Sequence, residues 1–354
     1  MKVCMLGMKG NFDRNIGRGV QINAQELYTH LKEKMGNKIE KAELGYGNAK
    51  INREVSFTAL SLMNNFNKYS IVHMPIPIMA NPRAKINVTT LYELYLLDEQ
   101  NPLYTYEKTH FDSRKLNIVS TGIHKLIMNQ ILGSDYIMPI SSQTEDEAIK
   151  CGYPKERIIT ITHAIEDEFT KGKIPTKKPS QKRFTLGYMG AMHPRKNPSS
   201  AIKAFKLVAE KNAAFEMWGR AKAGSEVTAA AADDKRISFK GFAPEKGKIK
   251  IYDRFDAVFV PTLYDGHSKP ILEAMSRGKP VIIYEYAQIP KEVTKYCLKA
   301  KDDEHAAYMI EDLIRNGYKP KERERAMKYA RSFTWDRVAA QTITAYEKII
   351  RTSK

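Results

Sequence analysis

The chain has 354 residues, too many for one ordinary hydrophobic core and a comfortable length for two domains. Its 42% hydrophobic and 10% aromatic residues exclude a disordered or fibrous protein. Lys and Arg outnumber Asp and Glu by 58 to 40, which gives a net charge of +18. Such a charge favours anionic partners, whether nucleotides, nucleic acid, lipid head groups or phosphorylated substrates, although a lysine-rich solvated surface explains it equally well.

Nothing in the sequence predicts a membrane span, a signal peptide or a disulfide framework. No apolar run approaches the roughly eighteen residues of a membrane helix. Residues 1–7 are short and apolar but lack a long hydrophobic region and a cleavage site, so they predict a first buried strand. Three scattered cysteines without CxxC spacing indicate a reducing compartment and argue against a zinc site. We therefore expect a cytoplasmic protein.

Short apolar runs alternate with amphipathic stretches from one end of the chain to the other. This alternation predicts parallel sheets built from strand–helix–strand units. The predicted strands are Val3–Gly7, Ser70–Met74, Ile86–Thr90, Tyr136–Ile140, Arg157–Thr162, Phe184–Met189, Ala214–Trp218, Ala257–Val260 and Pro280–Ile283. The predicted helices among them are Gln21–Lys34, Thr144–Lys150, Pro198–Lys211 and Pro270–Arg277.

A break in this pattern divides the chain into two predicted α/β domains. Residues 169–183 are rich in Lys and Pro, lack periodicity and precede a new strand, so they predict a linker between residues 1–168 and 184–334. A last helix is predicted to begin after Thr334 as its N-cap. Because doubly wound sheets bind ligands at the carboxyl ends of their strands, two such domains facing each other would form a cleft.

The most informative stretch surrounds two carboxylates, Asp265 and Glu273, which stand eight residues apart. A buried strand is followed by a polar turn, a helix with Pro270 at its first position, and Gly278 as a left-handed stop. Free backbone amides near residues 267–269 would offer a phosphate site. Glu273 has apolar neighbours, and a carboxylate on the core side of a helix needs a partner or a ligand.

An upstream loop has the same arrangement of a strand, a charged loop and a helix N-terminus. A strand ends at Gly190, and Arg195 and Lys196 follow just before the helix that begins near Pro198. Two cations beside a helix N-terminus suit a pyrophosphate, Arg through its planar fork and Lys as a point charge. The alternative is two solvated loop charges.

Taken together, these motifs resemble the retaining family-4 glycosyltransferases of the GT-B fold, the glycosyl transferases group 1. Residues 264–282, YDGHSKPILEAMSRGKPVI, match the E-x7-E signature in a context like YEGFGLPILEAMACGTPVI. Residues 194–205 resemble the donor-phosphate loop and its helix, and residues 239–244 resemble an F-x-G-x-x-P turn whose backbone meets the base. Residues 332–335 resemble the F-S/T-W start of the last helix.

The N-terminal half matches the same family more loosely. Residues 136–145 and 154–166 resemble the last strands of a first domain and its approach to the linker. The glycines Gly17 and Gly19 resemble a glycine loop that faces the donor, although a lone G-x-G also fits a simple helix-entry turn.

The resemblance implies two Rossmann-like domains facing across a cleft, with the last helix, about residues 335–354, crossing back to the first domain. It implies a hexosyltransferase that moves a sugar from a nucleotide-diphosphate sugar to an acceptor hydroxyl with retention of configuration and without a metal or other cofactor. The acceptor would be a saccharide, a glycolipid or a glycoprotein. A lipid-linked acceptor on an anionic membrane would make the protein peripheral.

The resemblance also implies roles for individual residues. Asp265 would contact the donor sugar, Glu273 the ribose hydroxyls, and Arg195 and Lys196 the diphosphate. The remaining donor-side residues would be Gly17, Gly19, Gly190, Gly241, Phe242, Gly266, His267, Ser268 and Lys269. Among the histidines, His193 and His267 are candidates for substrate contact, and His163 is a weaker one.

Three positions depart from the family pattern. Asp265 stands where Glu is usual, and Ala191 stands where an Arg follows the glycine, with Arg195 as our hypothesis for the missing cation. In the first domain, Tyr92 occupies the usual His position of a T-x-H-D motif and is followed by Glu93, the two acceptor-side candidates. These departures leave open a catalytically degenerate partner subunit.

Three further functions are weighed against the net charge and the first strand. The charge of +18 leaves open a glycosyltransferase acting on modified DNA. Pure nucleic-acid binding is less favoured because no helix-turn-helix, zinc-finger or RNA-binding aromatic motif is visible. A nicotinamide enzyme is set aside because residues 7–10 lack the GxGxxG pattern.

Overall fold

The computed structural model describes residues 1–8, 10–12, 19–45, 53–94, 118–174, 183–220 and 225–353. The chain divides into two units. Unit 1 consists of Met1–His163 and Trp335–Lys354, and unit 2 consists of Ala164–Thr334. Each unit contains its own parallel β-sheet. The predicted α/β class with two Rossmann-like parallel-sheet domains is therefore confirmed.

Unit 1 contains a five-stranded parallel sheet with the order β2-β1-β3-β4-β5. Its strands are Val3–Met8 (β1), Ile39–Leu44 (β2), Ile71–Met74 (β3), Asn87–Leu91 (β4) and Tyr136–Pro139 (β5). Its first helices are Gly19–Met35 (α1), Arg53–Met63 (α2), Ile118–Leu132 (α3) and Ser142–Lys150 (α4). The interior strand β1 is a continuous apolar run because both of its faces are covered, as is usual in parallel sheets.

Unit 2 contains a six-stranded parallel sheet with the order β11-β10-β9-β6-β7-β8. Its strands are Phe184–Met189 (β6), Ala213–Trp218 (β7), Ile237–Gly241 (β8), Ala257–Phe259 (β9), Val281–Tyr284 (β10) and Leu298–Ala300 (β11). Its helices are Asp167–Lys171 (α5), Pro198–Leu207 (α6), Glu226–Ala230 (α7), Lys248–Arg254 (α8), Lys269–Ser276 (α9), Lys291–Thr294 (α10), Asp303–Asn316 (α11) and Pro320–Arg331 (α12).

The unit 2 sheet has a separate hydrophobic core on each face. Successive residues of a strand point to opposite faces, and β9 shows this directly. Phe259 packs with Phe205 and Phe215 in one core, whereas Val258 packs with Phe255 and Leu272 in the other. Both faces are thus buried, which explains why the central strands of this unit are apolar without alternation.

The predicted linker is wrong at its start. Phe169 lies in helix α5, is fully buried, and its ring packs against Tyr252 with centroids 5.6 Å apart. The chain just beyond α5 is also held, since the buried Arg277 guanidinium donates to the carbonyl of Lys173 at 2.7 Å. The unit boundary falls instead between His163 and Ala164. A five-residue helix is too short to produce a visible period, so composition alone misplaced the boundary.

The predicted strand Arg157–Thr162 is also wrong. The segment begins with a 3-10 turn at Lys155–Arg157 and then lies beside β5, where the amides of Ile159 and Ile161 donate to Ile137 and Pro139 at 3.0 and 2.9 Å. Three strands were absent from the predicted set, namely β2, β8 and β11. All three lie at sheet edges, where one side is open and the sequence need not be uniformly apolar.

The last helix of the chain, Trp335–Thr352 (α13), belongs to unit 1. Its buried positions repeat every three or four residues, as expected for one face of a helix. The hydroxyl of Tyr346 lies 2.5 Å from His73 Nδ1, and His73 Nε2 lies 2.7 Å from Thr90 Oγ1. A fully buried histidine in β3 thereby links the helix to the centre of the sheet. Among the described residues, no helix combines the length and apolar character that crossing a membrane requires.

We predict that unit 1 loses stability as the pH falls below about 6.5, the ordinary pKa of histidine. Burial lowers the pKa of His73 to about 3, so between these values the unfolded chain binds a proton that the folded protein does not. Stability should therefore fall by about 1 kcal/mol between pH 7 and 5.5 from this group alone. Urea unfolding of the wild type and His73→Gln across this range measures the effect. Equal pH slopes in both proteins would contradict it.

Candidate functional site

The candidate site lies where the strand order of the unit 2 sheet reverses. After β6 the chain adds β7 and β8 on one side and then returns to place β9 on the other. In doubly wound sheets the crevice for a ligand opens at such a switch point, outside the carboxyl ends of the strands. The loops that follow β6 and β9 carry most of the residues that the sequence singled out.

The loop after β6 begins with a close approach of two backbones. Gly190 follows β6, and Gly219 follows β7. A Cβ atom on Gly219 would lie 1.8 Å from the carbonyl oxygen of Gly190, so only glycine fits at position 219. Arg195 and Lys196 then form a 3-10 turn, and His193 Nδ1 accepts the amide of Arg195 at 3.3 Å. Burial and the two cations lower the pKa of His193. Ala191, the family's usual Arg position, is exposed in this loop.

The loops after β6 and β9 are bonded to each other. The amide of Leu263 donates to the carbonyl of Arg195 at 2.9 Å, and the Arg195 guanidinium donates to the carbonyl of Tyr264 at 3.0 Å. Lys196 and Asp265 form an ion pair. The structure therefore brings together the three residues predicted to be catalytic, which are 70 residues apart at most in the sequence.

Asp265 is a carboxylate at any physiological pH. Burial alone would raise its pKa, but the charges of Lys196 and Arg195 outweigh burial and hold the pKa well below its usual range. The amide of His267 donates to Asp265 Oδ1 at 3.4 Å, and the backbone of Ser268 also donates to this carboxylate. The prediction of free amides is therefore wrong for these two residues, because the side chain of the turn's own first residue binds them.

Glu273 is fully buried and has a partner for each oxygen. Lys248 Nζ lies 2.6 Å from Oε1, and the hydroxyl of Tyr252 donates to Oε2 at 2.6 Å. Burial lowers the pKa of Lys248, but the carboxylates of Glu273, Glu166 and Glu245 more than reverse this and raise it above its ordinary value. The prediction that a carboxylate on the core side has a partner is confirmed. Its contact with a ribose stays a prediction.

Lys269 is held by a second buried carboxylate. Its ammonium lies 2.5 Å from Glu166 Oε1. Burial would raise the pKa of Glu166, but Lys269 and Lys248 lower it to about 2. Sequence reasoning missed Glu166, Lys248 and Tyr252. For Lys248 and Tyr252 a signal existed, since they are four residues apart and so share a helical face.

The remaining donor-side candidates also lie at the carboxyl edge of this sheet. Gly241 ends β8 with φ +75°, and its carbonyl accepts the amide of Gly219 at 2.8 Å. Phe242 is 49% exposed, and the Arg220 guanidinium lies 5.1 Å from its ring centroid. Gly266 and His267 are buried in the turn between β9 and α9.

The candidates of the N-terminal half lie in unit 1. Tyr92 and Glu93 directly follow β4 and are half-buried. The ring of His163 packs between Tyr92 and Trp335, with centroids 5.5 and 5.1 Å away, as a buried aromatic neighbour would. Gly19 is the first residue of α1, and Gly17 lies outside the described residues.

Side chains of the types that bind metals do not cluster at this edge. In the part of the chain that the structure describes, no three or more His, Cys, Asp or Glu side chains are arranged to hold a metal ion. The charged groups at this edge include the pairs Lys196–Asp265, Lys248–Glu273 and Lys269–Glu166 together with Arg195. The arrangement can thus contact an anion with cations and a polyol with carboxylates.

Part of this unit matches a known protein family. The sequence of residues 183–316, from β6 into α11, matches the family described as "Glycosyl transferases group 1". The matched segment lies within unit 2. The match spans both loops of the switch point and the whole Asp265–Glu273 segment, so the resemblance of these motifs to the glycosyl transferases group 1 is confirmed.

Two relatives of this protein are mannosyltransferases by name. The chain is 24% identical to O-antigen chain mannosyltransferase B of Escherichia coli over 242 residues, which are 64% of each protein. It is 33% identical to MMP alpha-(1->4)-mannosyltransferase of Mycolicibacterium hassiacum over 106 residues, which are 26% of this chain and 24% of that protein. The chain thus spans just under two thirds of the length of the first relative.

Solved structures share the fold along nearly the whole chain. HepE of Anabaena in complex with UDP has a TM-score of 0.66 at 14% identity, with 98% of this chain and 100% of that chain covered. Sucrose-phosphate synthase of Thermosynechococcus elongatus has a TM-score of 0.66 at 14% identity, with 99% and 100% covered. The GT-B class that the resemblance implied is the fold of this protein.

We predict that Lys248 and Glu273 stabilise unit 2 only as a pair. Lys248→Met leaves the buried Glu273 carboxylate without its cation, which should cost about 3–5 kcal/mol of unfolding free energy. The double variant Lys248→Met/Glu273→Gln removes both charges and should recover most of that loss. Urea unfolding of the single and double variants tests this coupling.

Lys250→Met is the matched control for this pair. Lys250 lies on the same helix α8 and is exposed, so its replacement should change stability by less than about 0.5 kcal/mol. Additive effects in the double variant, with no recovery, would contradict the predicted coupling.

Proposed function

We propose that this protein is a glycosyltransferase that moves a hexosyl group from a nucleoside-diphosphate sugar to an acceptor hydroxyl. The observation that carries the proposal is the joined pair of loops at the switch point, where Lys196 and Asp265 meet. The group 1 match over residues 183–316 and the UDP bound to the structurally similar HepE support a nucleotide donor. The names of two relatives favour mannose as the transferred sugar.

In the proposed reaction the bond between C1 of the sugar and the diphosphate oxygen breaks, and the acceptor oxygen bonds to C1. The acceptor proton passes to the leaving diphosphate, which allows attack from the same face and retention of configuration. Negative charge grows on the diphosphate, and Arg195 and Lys196 stabilise it. Pre-organised groups of this kind are worth about 3 kcal/mol each. Because these side chains supply the positive charge, the proposal requires no metal ion.

Asp265 and Lys196 can serve a donor while remaining close to each other. An ammonium has three N–H groups, so Lys196 can bind Asp265 and a phosphoryl oxygen together. The ionised Asp265 accepts hydrogen bonds only, which suits it to the hydroxyls of the donor sugar. The proposed division of roles follows, with Lys196 and Arg195 on the diphosphate and Asp265 on the sugar.

The acceptor proposed is a saccharide, with a glycolipid or a glycoprotein as the remaining classes. The name of the E. coli relative, an O-antigen chain mannosyltransferase, favours a saccharide chain. We place the reaction in the cytoplasm, because three scattered cysteines suit a reducing compartment. A net charge of +18 would attract the protein to an anionic membrane if the acceptor is lipid-linked.

The proposal predicts that Lys196→Met weakens donor binding. Calorimetric titration with UDP-, GDP-, ADP- and dTDP-linked sugars should identify one donor that binds the wild type. Its dissociation constant should rise at least about tenfold in Lys196→Met, since one charge-assisted contact is lost. Arg195→Ala should weaken binding in the same way if this residue supplies the family's missing cation.

Lys203→Met is the control, because Lys203 is exposed on helix α6, which follows the same loop. Its affinity for the donor should match that of the wild type. Circular dichroism confirms that each variant is folded. A folded wild type that binds none of the four donors would refute the proposal and favour a degenerate partner subunit.

A further inference from the structure

A tyrosine just beyond β10 exposes its ring to solvent. Tyr286 is 54% exposed and lies in the turn that follows this strand. Within the part of the chain that the structure describes, it is one of three exposed large aromatic side chains, the others being Phe242 and Tyr308. Exposure alone carries no argument, since single apolar side chains are common on protein surfaces. Tyr286 differs in the way in which its ring is held.

The ring of Tyr286 lies flat on a second tyrosine that is itself fixed. Tyr284 is fully buried, and the two rings are stacked with centroids 5.0 Å and planes 11° apart, a favourable offset arrangement. Tyr284 packs in turn against Phe259 of β9, with centroids 5.3 Å apart, and its hydroxyl donates to Asp303 Oδ1. One face of the Tyr286 ring is thus covered, and its opposite face meets solvent in a fixed orientation.

The charges beside this ring are negative. Partial burial and the carboxylates of Asp303 and Asp302 raise the pKa of Tyr286, so both acids lie close to its hydroxyl. Asp302 Oδ1 accepts the amide of His305 at 2.7 Å, and Asp303 accepts the hydroxyl of Tyr284. A carboxylate can accept about four hydrogen bonds, so each keeps capacity for a ligand. In a protein with a net charge of +18, this position disfavours anionic ligands.

This ring lies one strand away from the site of the proposed reaction. β10 pairs with β9, and neighbouring strands are about 4.8 Å apart. The amide of Gln288 donates to the carbonyl of Leu263 at 2.7 Å, and the carbonyl of Gln288 accepts the amide of Asp265 at 3.0 Å. Residues 239–244 follow β8, on the far side of β9 and β6. A donor with its sugar at Asp265 and its base near residues 239–244 therefore extends away from Tyr286.

A hexose ring has the properties that this surface selects. Its C–H groups can pack on the face of an aromatic ring, while its hydroxyls donate to carboxylates. It has no charge, so Asp302 and Asp303 do not repel it. A nucleotide base also stacks on aromatic rings, but its phosphates would meet two like charges here. An apolar ligand would bury the carboxylates without partners, which is costly.

We propose that a hexose ring of the acceptor saccharide stacks on the exposed face of Tyr286, with Asp302 and Asp303 accepting its hydroxyls. The acceptor would then lie beside β10 and the donor sugar beside β9. Among the proposed acceptor classes, this contact selects those that present a sugar ring. The inference rests on the proposed function, since the saccharide is the acceptor of that reaction, but its binding is measurable without a donor.

The test compares Tyr286→Ala and Tyr286→Phe with the wild type. Mannobiose, maltose and cellobiose are titrated by saturation-transfer NMR to find a disaccharide that the wild type binds. Tyr286→Ala should bind it at least about fivefold more weakly, because the stacking face is lost. Tyr286→Phe keeps that face and should bind within about twofold of the wild type. Both variants should keep the wild-type affinity for the nucleotide-sugar donor and for its parent nucleoside.

Tyr308→Ala is the matched control for the loss of an exposed ring. Tyr308 is 60% exposed in the same unit. It lies five residues beyond Asp303 on α11, so the helical repeat directs it about 140° around the helix from Asp303. Its replacement should leave disaccharide affinity unchanged. Thermal unfolding of Tyr286→Ala should stay within about 4 °C of the wild type, since one surface stacking contact is lost.

Four results would overturn the inference. A wild type that binds a nucleotide donor but none of the three disaccharides would overturn it alone, as would equal disaccharide affinity in Tyr286→Ala and the wild type. Weaker binding of the nucleoside in Tyr286→Ala, with unchanged disaccharide affinity, would show that the ring stacks on the base instead. A wild type that binds no nucleotide donor would overturn the proposed function and the acceptor role with it.

Discussion

The bonding between the loops after β6 and β9 is the constraint on which the rest of the site depends. The strands β6 and β9 are paired in the unit 2 sheet, but the loops that follow them lead to helices on opposite faces, so strand pairing alone does not join the loops. The backbone bond from Leu263 to Arg195 and the ion pair of Lys196 with Asp265 do so. Because each loop also begins a helix, the same contacts set where α6 and α9 start.

Charge is balanced locally throughout this edge of the sheet. Glu273 faces Lys248, Glu166 faces Lys269, and Asp265 faces Lys196. Burying any of these groups alone would be costly, so each carboxylate and its cation must be considered together. The Arg195 guanidinium adds a further positive charge and is fixed in place by its hydrogen bond to the neutral carbonyl of Tyr264. A ligand that brings two negative charges would therefore meet three carboxylates that are each already paired with a lysine.

The sequence predicted the fold class and the central strands because fully covered strands are continuously apolar and short. It did not predict β2, β8 and β11, since an edge strand such as Ile39–Leu44 is largely exposed and carries charged residues without a clear period. Glycine stops and helix starts were also predictable, as with Gly278 at φ +68°. The spacing of Lys248 and Tyr252 indicates a shared helical face, but their pairing with Glu273 was not predictable, because α8 and α9 meet only through tertiary packing. The misplaced linker has a similar origin, since the burial of Phe169 depends on Tyr252, far away in the sequence.

Unit 2 is built from one segment of the chain and unit 1 from two, and this difference affects the order in which their elements are synthesised. Unit 2 is a single continuous segment, Ala164–Thr334, whereas unit 1 takes its last helix from the C-terminus. A ribosome synthesises all of unit 2 before it makes the helix that carries Tyr346. Until then His73 lacks one of its two partners and part of the unit 1 core is uncovered. The unit whose synthesis begins first is thus the one whose last element is made after all of unit 2, and a chain that stops before Tyr346 lacks a partner of the buried His73.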